Sequence, residues 1–593
     1  MIALLTTNPV SLRRRLAVGA ALFVLAFALR VGFWLATPDA DWPYSVYYKG
    51  DAPVWLAYAE AIKSGAEFEM GLPIRPPGMA YLLHFLWDGS PETLWRVQLA
   101  WCALGALIPA LMFVVLVPAA GAATALLAST FAAVSTGLMI LSTSLNNETP
   151  YLVLVLAAFA LWEPLRRRPG WAGAAVWGAL GGLACLVRVE HVVVFGLCTA
   201  FLALSWRRDG RALRGGGGAA MAVLLAAFAV SLLPWHLTAW SRIARFNERG
   251  HPAAAFSPEV LERIETATRH FSWDPAARET RDALPGFGRD FWSAFVAATV
   301  LYRGGDRIGP RDFAILEEAF GVRPEPLYGH PFVTSYGPLN FFLANHPGAT
   351  AGFSRDALEM PPPLEGGGGR YPPVLVSGLP PEDKLLFLYP PHLHAFNHGY
   401  ALGLRWIREH PGDFLALAGA KLRGFWAGAA GGVTGYNFPL GIEGVRRSVD
   451  LVVAGGTGPA VWRFLVLALC GIGAAWAASR PALFPWLALL AAKAAAAALF
   501  FGYARMGATA IPATALLAAL AVTRLGIVPL LDRRPGWAKP LLVAGAGAVL
   551  LAVAAETHRF LDPPVLYLQD REVIDEDPYP PGLYIDQRIN VRN

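Results

Sequence analysis

Long apolar runs separated by short arginine-rich or acidic segments dominate the chain. They fall near 16–37, 94–117, 120–141, 149–163, 172–187, 189–206, 218–241, 459–478, 481–500, 507–530 and 538–556. Most have the roughly 18 to 25 residues that an α-helix needs to cross a hydrocarbon core of about 30 Å. No water in that core satisfies backbone N–H and C=O groups, so only helices or closed barrels can span it, and these run lengths select helices. The pattern predicts an α-helical polytopic membrane protein with about eleven transmembrane helices. The fourth run is short, and the fifth and sixth nearly touch.

Composition agrees with this class: of 593 residues, 55% are hydrophobic and 16% charged, and the mean hydropathy is +0.43. The formal charge of +6 follows from topology and gives no reason to invoke nucleic acid. Arg13 to Arg15, Arg166 to Arg168, Arg207, Arg208, Arg211, Arg214, Arg480, Arg533, Arg534 and Lys539 all fall on one side if the spans alternate. By the positive-inside rule that side is cytoplasmic, and so is the N-terminus. The first run lacks a small-residue cleavage site before Asp39 and reads as a retained helix. Cys102, Cys185, Cys198 and Cys470 lie in or beside apolar runs, which indicates no disulfide framework or thiolate metal site.

This topology divides the chain into an N-terminal transmembrane module (1–241) with a first extracytoplasmic loop (38–91), an extracytoplasmic insertion (242–436), C-terminal helices (437–556) and an extracytoplasmic tail (557–593). The insertion is rich in Pro, Gly and aromatic residues, and Ser257 followed by Pro258 reads as a helix start, so a mixed domain is expected there. The glycine run between Glu365 and Arg370 reads as a mobile loop or, more commonly for such a run, a plain connector; no lysine or helix start follows in the pattern of a phosphate cradle. At 411–426 the pattern is amphipathic, too short and too charged to span, and predicts a helix lying in the interface with Lys421 and Arg423 at head-group depth. Snorkelling explains those two cations equally well.

Candidate chemistry concentrates in the first loop. Asp51 stands just past the first apolar run and is followed by Ala-Pro-Val-Trp, so it reads either as a functional carboxylate at the membrane surface or as a helix N-cap. Farther along the loop lies Arg75-Pro-Pro-Gly78. Glu148 opens the fourth run, where an acid also suits the helix dipole. Arg188 and Glu190 sit beside the fifth, as functional groups or as a structural ion pair.

In order, these features resemble a family: Leu29-Arg30 in the first run, Asp51 before Trp55-Leu-Ala-Tyr-Ala-Glu60, Arg75-Pro-Pro-Gly78, Arg96-Val-Gln98, Asn147-Glu-Thr-Pro-Tyr151 and Leu186-Val-Arg-Val-Glu190. Later come His410-Pro-Gly with Lys421 and Phe425-Trp426, then Tyr503-Ala-Arg-Met leading to Pro512. The chain resembles the GT-C glycosyltransferases, closest to the branch of lipid A aminoarabinose transferases and protein O-mannosyltransferases. It departs from that branch at Ala52, where an acidic residue often follows the loop aspartate.

The resemblance implies a GT-C-like fold in a bacterial inner membrane, with a polyprenyl-phosphate sugar donor and an extracytoplasmic glycan, lipid or protein as acceptor. It makes Asp51 the general base, with a carboxyl pKa raised at the membrane interface. Arg75, Arg188, Lys421 and Arg505 become the donor-phosphate ligands. Asp41, Tyr48, Glu148, Glu190 and Arg423 are secondary site residues, and Trp42, Tyr44, Tyr47, Tyr48 and Trp55 form an aromatic rim that an interfacial belt explains equally well. The residues assign no cofactor and leave metal dependence open. A divalent metal bridging Asp39 and Asp41 to the donor is the metal site considered, but hard cations take about six oxygen ligands and no further acidic cluster accompanies the pair. His394 and His398 share an i, i+4 spacing, with His392 nearby; a polar loop surface is the simpler reading. The other functional classes weighed are a transporter or flippase for a lipid-linked sugar, and a noncatalytic glycolipid-binding scaffold.

Overall fold

A computed structural model describes residues 11–35, 51–65, 72–211, 216–249, 327, 332–352, 390–430 and 457–527. Among these residues every regular element is helical. The first is α1 (Leu12–Leu35), followed by α2 (Ala52–Ser64) and α3 (Gly78–Leu86) in the first loop. Then come α4 (Leu94–Ala120), α5 (Ala122–Val134), α6 (Thr136–Thr143), α7 (Glu148–Arg167), α8 (Trp171–Val187), α9 (His191–Arg208) and α10 (Gly217–Arg249). The insertion contributes α11 (Gly337–Ala344), α12 (Pro390–Glu409) and α13 (Pro411–Ala429). Last are α14 (Thr457–Ala478), α15 (Phe484–Leu499), α16 (Ala504–Ala508) and α17 (Ile511–Val522).

Among the described residues, five helical stretches are long and apolar enough to cross a membrane: Leu12–Leu35, Leu94–Ala120, Glu148–Arg167, Gly217–Arg245 and Pro481–Leu499. The apolar stretches Trp171–Val187, Arg463–Ala478 and Ile511–Leu525 match predicted runs but are shorter than a full span. The run at 538–556 lies outside the described residues, as does most of the insertion.

The predicted third span, 120–141, is corrected to a broken pair. The helices α5 and α6 part at Ser135 and are bent by 55°. A helix end leaves carbonyls without partners, which is costly away from water. Arg30, fully buried in α1, supplies donors at this break: Nη1 bonds the Ala133 carbonyl at 3.2 Å, and Nε bonds Ser142 Oγ at 3.0 Å. A buried cation in the first apolar run therefore has a structural task in ending α5.

The bundle has two distinguishable ends. Arg211 donates to the carbonyls of Arg166 and Arg167, and Trp162 Nε1 bonds the Pro481 carbonyl at 2.9 Å. The turns carrying Arg166 to Arg168, Arg207 to Arg211 and Arg480 therefore meet at one end, as the arginine pattern predicted. At the other end, Leu72, Ile74, Ile243, Leu339, Leu343, Phe396 and Phe501 share one apolar core. The first loop, the insertion and the start of the late helices are thus packed as one body there. Also, α10 runs to Arg249, eight residues beyond the boundary expected at 241.

The close approach of α13 to the segment around α16 positions Arg505. Gly424 and Gly428 form a G-x-x-x-G pair, a spacing that puts two bare backbone positions on one helix face. A methyl group at Gly428 would collide with the Ala504 carbonyl, and one at Gly507 with the Phe425 carbonyl. Gly428→Val should lower the unfolding temperature in detergent through overpacking of about 1–3 kcal/mol. Gly419→Val, on the same helix where nothing lies within 4 Å, should stay close to wild type in the same measurement.

Candidate functional site

The start of α2 is built to hold Asp51 in place. Pro53 sits in the first turn and Gly65 ends the helix at φ 71°, a conformation that suits glycine. Val54, Trp55, Leu56 and Tyr58 are buried against α3 and the bundle. Each large side chain so placed contributes about 1.5–3 kcal/mol. Asp51 occupies the N-cap position, yet its side chain makes no capping bond. Instead Oδ2 accepts from Arg505 Nη2 at 2.7 Å, which answers the N-cap reading.

Arg505 continues the contact inward. Its Nε donates to Glu148 Oε1 at 2.9 Å, and Nη2 lies 3.4 Å from Glu148 Oε2. Glu148 Oε1 also accepts from Arg188 Nη1 at 2.5 Å, and Arg188 Nε reaches Glu190 Oε1 at 2.5 Å. Lys493 Nζ then donates to the same Glu190 oxygen at 3.0 Å. Three carboxylates and three cations therefore alternate in one line, from Asp51, 37% exposed, to Lys493, 3% exposed.

Short-range sequence features set this line up. Glu148 is the first residue of α7, and Arg188 and Glu190 occupy the turn between α8 and α9. Asn147 joins the two by accepting from Arg188 Nη1 at 3.0 Å and donating to the Val187 carbonyl at 3.3 Å. Gly78, the last residue of Arg75-Pro-Pro-Gly78, packs so close that a Cβ there would lie 2.8 Å from the Leu186 carbonyl oxygen. The first loop is thereby pressed onto the Arg188 turn. Arg75 lies over the Trp55 ring at 5.8 Å.

The electrostatics of Asp51 differ from expectation. Burial pushes its carboxyl pKa up, but Arg505, Arg75 and Arg188 outweigh burial and hold it below the usual carboxylate range. The expected upward shift is therefore corrected: a side chain 37% exposed and facing a guanidinium at 2.7 Å keeps its charge. For Arg505, burial opposes the charge, while Glu148 and Asp51 hold it well above its ordinary value.

The four expected phosphate ligands separate. Arg505 and Arg75 are near Asp51; Arg188 is in the line, bonded to two carboxylates. Lys421 is elsewhere: fully buried, it donates to the Ala344 carbonyl at 2.7 Å and to Asn345 Oδ1 at 3.3 Å. The expectation that a lipid phosphate at head-group depth reaches it is thus corrected, because the side chain is enclosed by protein. It supplies the cation that the C-terminal carbonyls of α11 attract, and burial pushes its pKa down to about 8. Arg423, two residues on, is exposed as expected.

Asp39, Asp41 and Tyr48 lie outside the described residues. No group of three or more His, Cys, Asp and Glu side chains with metal-ligand placement occurs among the described residues. The rings of His394 and His398 on α12 lie with centroids 4.6 Å apart and are tilted by 41°. Lys493 was missed by the sequence reading. Its only signal was a lone cation inside an apolar, alanine-rich run, and such residues in a span usually face protein partners. Neither a known family model nor a curated protein matches the chain.

Proposed function

We propose that the chain is a GT-C-type membrane glycosyltransferase that moves one sugar from a polyprenyl-phosphate donor to an acceptor with inversion, with Asp51 as general base. The observation that carries this reading is the partly exposed Asp51 carboxylate held 2.7 Å from Arg505, at the end of the bundle opposite the arginine-rich turns. Under the positive-inside rule the arginine-rich end is cytoplasmic, so this acid faces the extracytoplasmic side.

The chemistry asks for a base and a stabilised leaving group. The acceptor oxygen forms a bond to the anomeric carbon, its proton passes to Asp51, and the bond from that carbon to the phosphate oxygen breaks with its electron pair. Charge-assisted donors such as Arg505 and Arg75 favour that developing charge. The six alternating groups sum to zero, so protonation of Asp51 leaves the line with one net positive charge to face the departing phosphate.

Protein in nanodiscs, given a radiolabelled polyprenyl-phosphate sugar and cell-envelope extract as acceptor, should release polyprenyl phosphate and label the extract. In sealed proteoliposomes, intact donor crossing the bilayer without cleavage would instead establish a flippase. Binding with neither cleavage nor movement would establish a scaffold.

A further inference from the structure

Arg505 holds its two carboxylates unequally. Glu148 is 1% exposed and engages both Nε and Nη2, whereas Asp51 is 37% exposed and engages Nη2 alone. Exposed ion pairs contribute little, roughly 0–1 kcal/mol, whereas breaking a buried pair costs several times more. An arriving anion would therefore displace Asp51 and leave Glu148 in place.

We infer that Arg505 is an exchange point: the phosphate of a prenyl-linked donor takes the Nη2 donor held by Asp51, and the carboxylate is freed as donor binds. This rests on the glycosyltransferase reading and adds an order to it. While Asp51 is bonded to Arg505, one of its oxygens is occupied and its basicity is reduced, so it is a poor proton acceptor. Phosphate on Arg505 removes that partner and brings a negative charge near the carboxylate, and both effects raise its affinity for a proton. Glu148 keeps the guanidinium aimed at the surface throughout. The base is thus competent only when the group it serves is present, which disfavours proton abstraction from water in the absence of donor.

The consequence is that Asp51 competes with the ligand. Farnesyl phosphate binding to the full chain in nanodiscs should be about fivefold tighter in Asp51→Asn than in wild type, the ratio that an ion pair of about 1 kcal/mol sets. In an Arg505→Gln background the same substitution should give no gain. A gain that persists there would mean simple charge repulsion by Asp51, and would overturn the exchange. Equal or weaker binding in Asp51→Asn, repeated in Asp51→Ser as a check on folding, would also overturn it while leaving the glycosyltransferase reading intact. Farnesol should bind all variants alike. Inorganic phosphate should show no gain at the same concentrations; a full gain there would assign the site to free phosphate and overturn the lipid-linked source. No farnesyl phosphate binding to wild type or any variant would overturn both the exchange and the glycosyltransferase reading.

Discussion

Asp51→Asn should reduce sugar transfer by about 10²–10⁴-fold, the range that a positioned general base contributes. Asparagine keeps the size of the side chain and can still contact Arg505 through its carbonyl oxygen, but it cannot accept the acceptor proton. The fold should persist, because Trp55, Leu56 and Tyr58 hold α2 independently of the carboxylate. Single-turnover assays in nanodiscs separate the effects: the chemical step should collapse while donor binding tightens. A variant with full activity would remove Asp51 as base.

The pH dependence of the wild type provides a second readout. In the free protein the Asp51 carboxyl lies below the usual range despite burial, because Arg505, Arg75 and Arg188 outweigh it. The pairing therefore stabilises the fold above the ordinary carboxylate pKa, and that contribution is lost as pH falls through the lowered one. Accordingly, kcat/KM for the donor, which reports the free enzyme, should show no acid limb from Asp51 until the pH falls below that range.

The sequence was most informative where local pattern determines structure. Apolar run lengths anticipated α1, α4, α7 and α10, and the arginines of the α7–α8 and α9–α10 turns do meet at one end. Asp51, Glu148, Arg188 and Glu190 stand out as charged residues at span ends, whereas Arg505 is marked only by the GT-C resemblance. Their order in one line was not legible, since Asp51 and Arg505 are brought together only by helix packing. The bend at Ser135 was hidden for a related reason: hydropathy reads 120–141 as continuous, while the donor that makes the break tolerable comes from Arg30, on another helix. Lys421 misled because a cation in an amphipathic pattern carries no mark of whether it turns outward or inward. The glycines that place Arg505 were legible in principle at Gly424 and Gly428, but their partners, Gly502 and Ala504, are some 80 residues away.

Lys493→Met should destabilise the protein by about 3–5 kcal/mol, the cost of removing one partner from a buried ion pair. Lys493 lies within α15, with Nζ 3.0 Å from Glu190 Oε1 and 4.1 Å above the centre of the Tyr151 ring. Removing it leaves the line Glu190, Arg188, Glu148, Arg505, Asp51 with three negative and two positive charges, in surroundings that screen poorly. Glu190 would then compete harder for Arg188 and weaken its hold on Glu148. Glu190→Gln alone should destabilise as well, by stranding the lysine. The double variant Lys493→Met with Glu190→Gln should recover most of the loss, because it removes the inner pair and leaves two cations alternating with two carboxylates. A double-mutant cycle by unfolding in mixed detergent measures the coupling. Additive single and double effects, or a Lys493→Met protein as stable as wild type, would show that the line is not held together by charge alternation. Activity distinguishes the inner end from the outer one: the double variant should retain transfer, because Arg505 and Asp51 keep their mutual contact and Glu148 keeps both of its arginines.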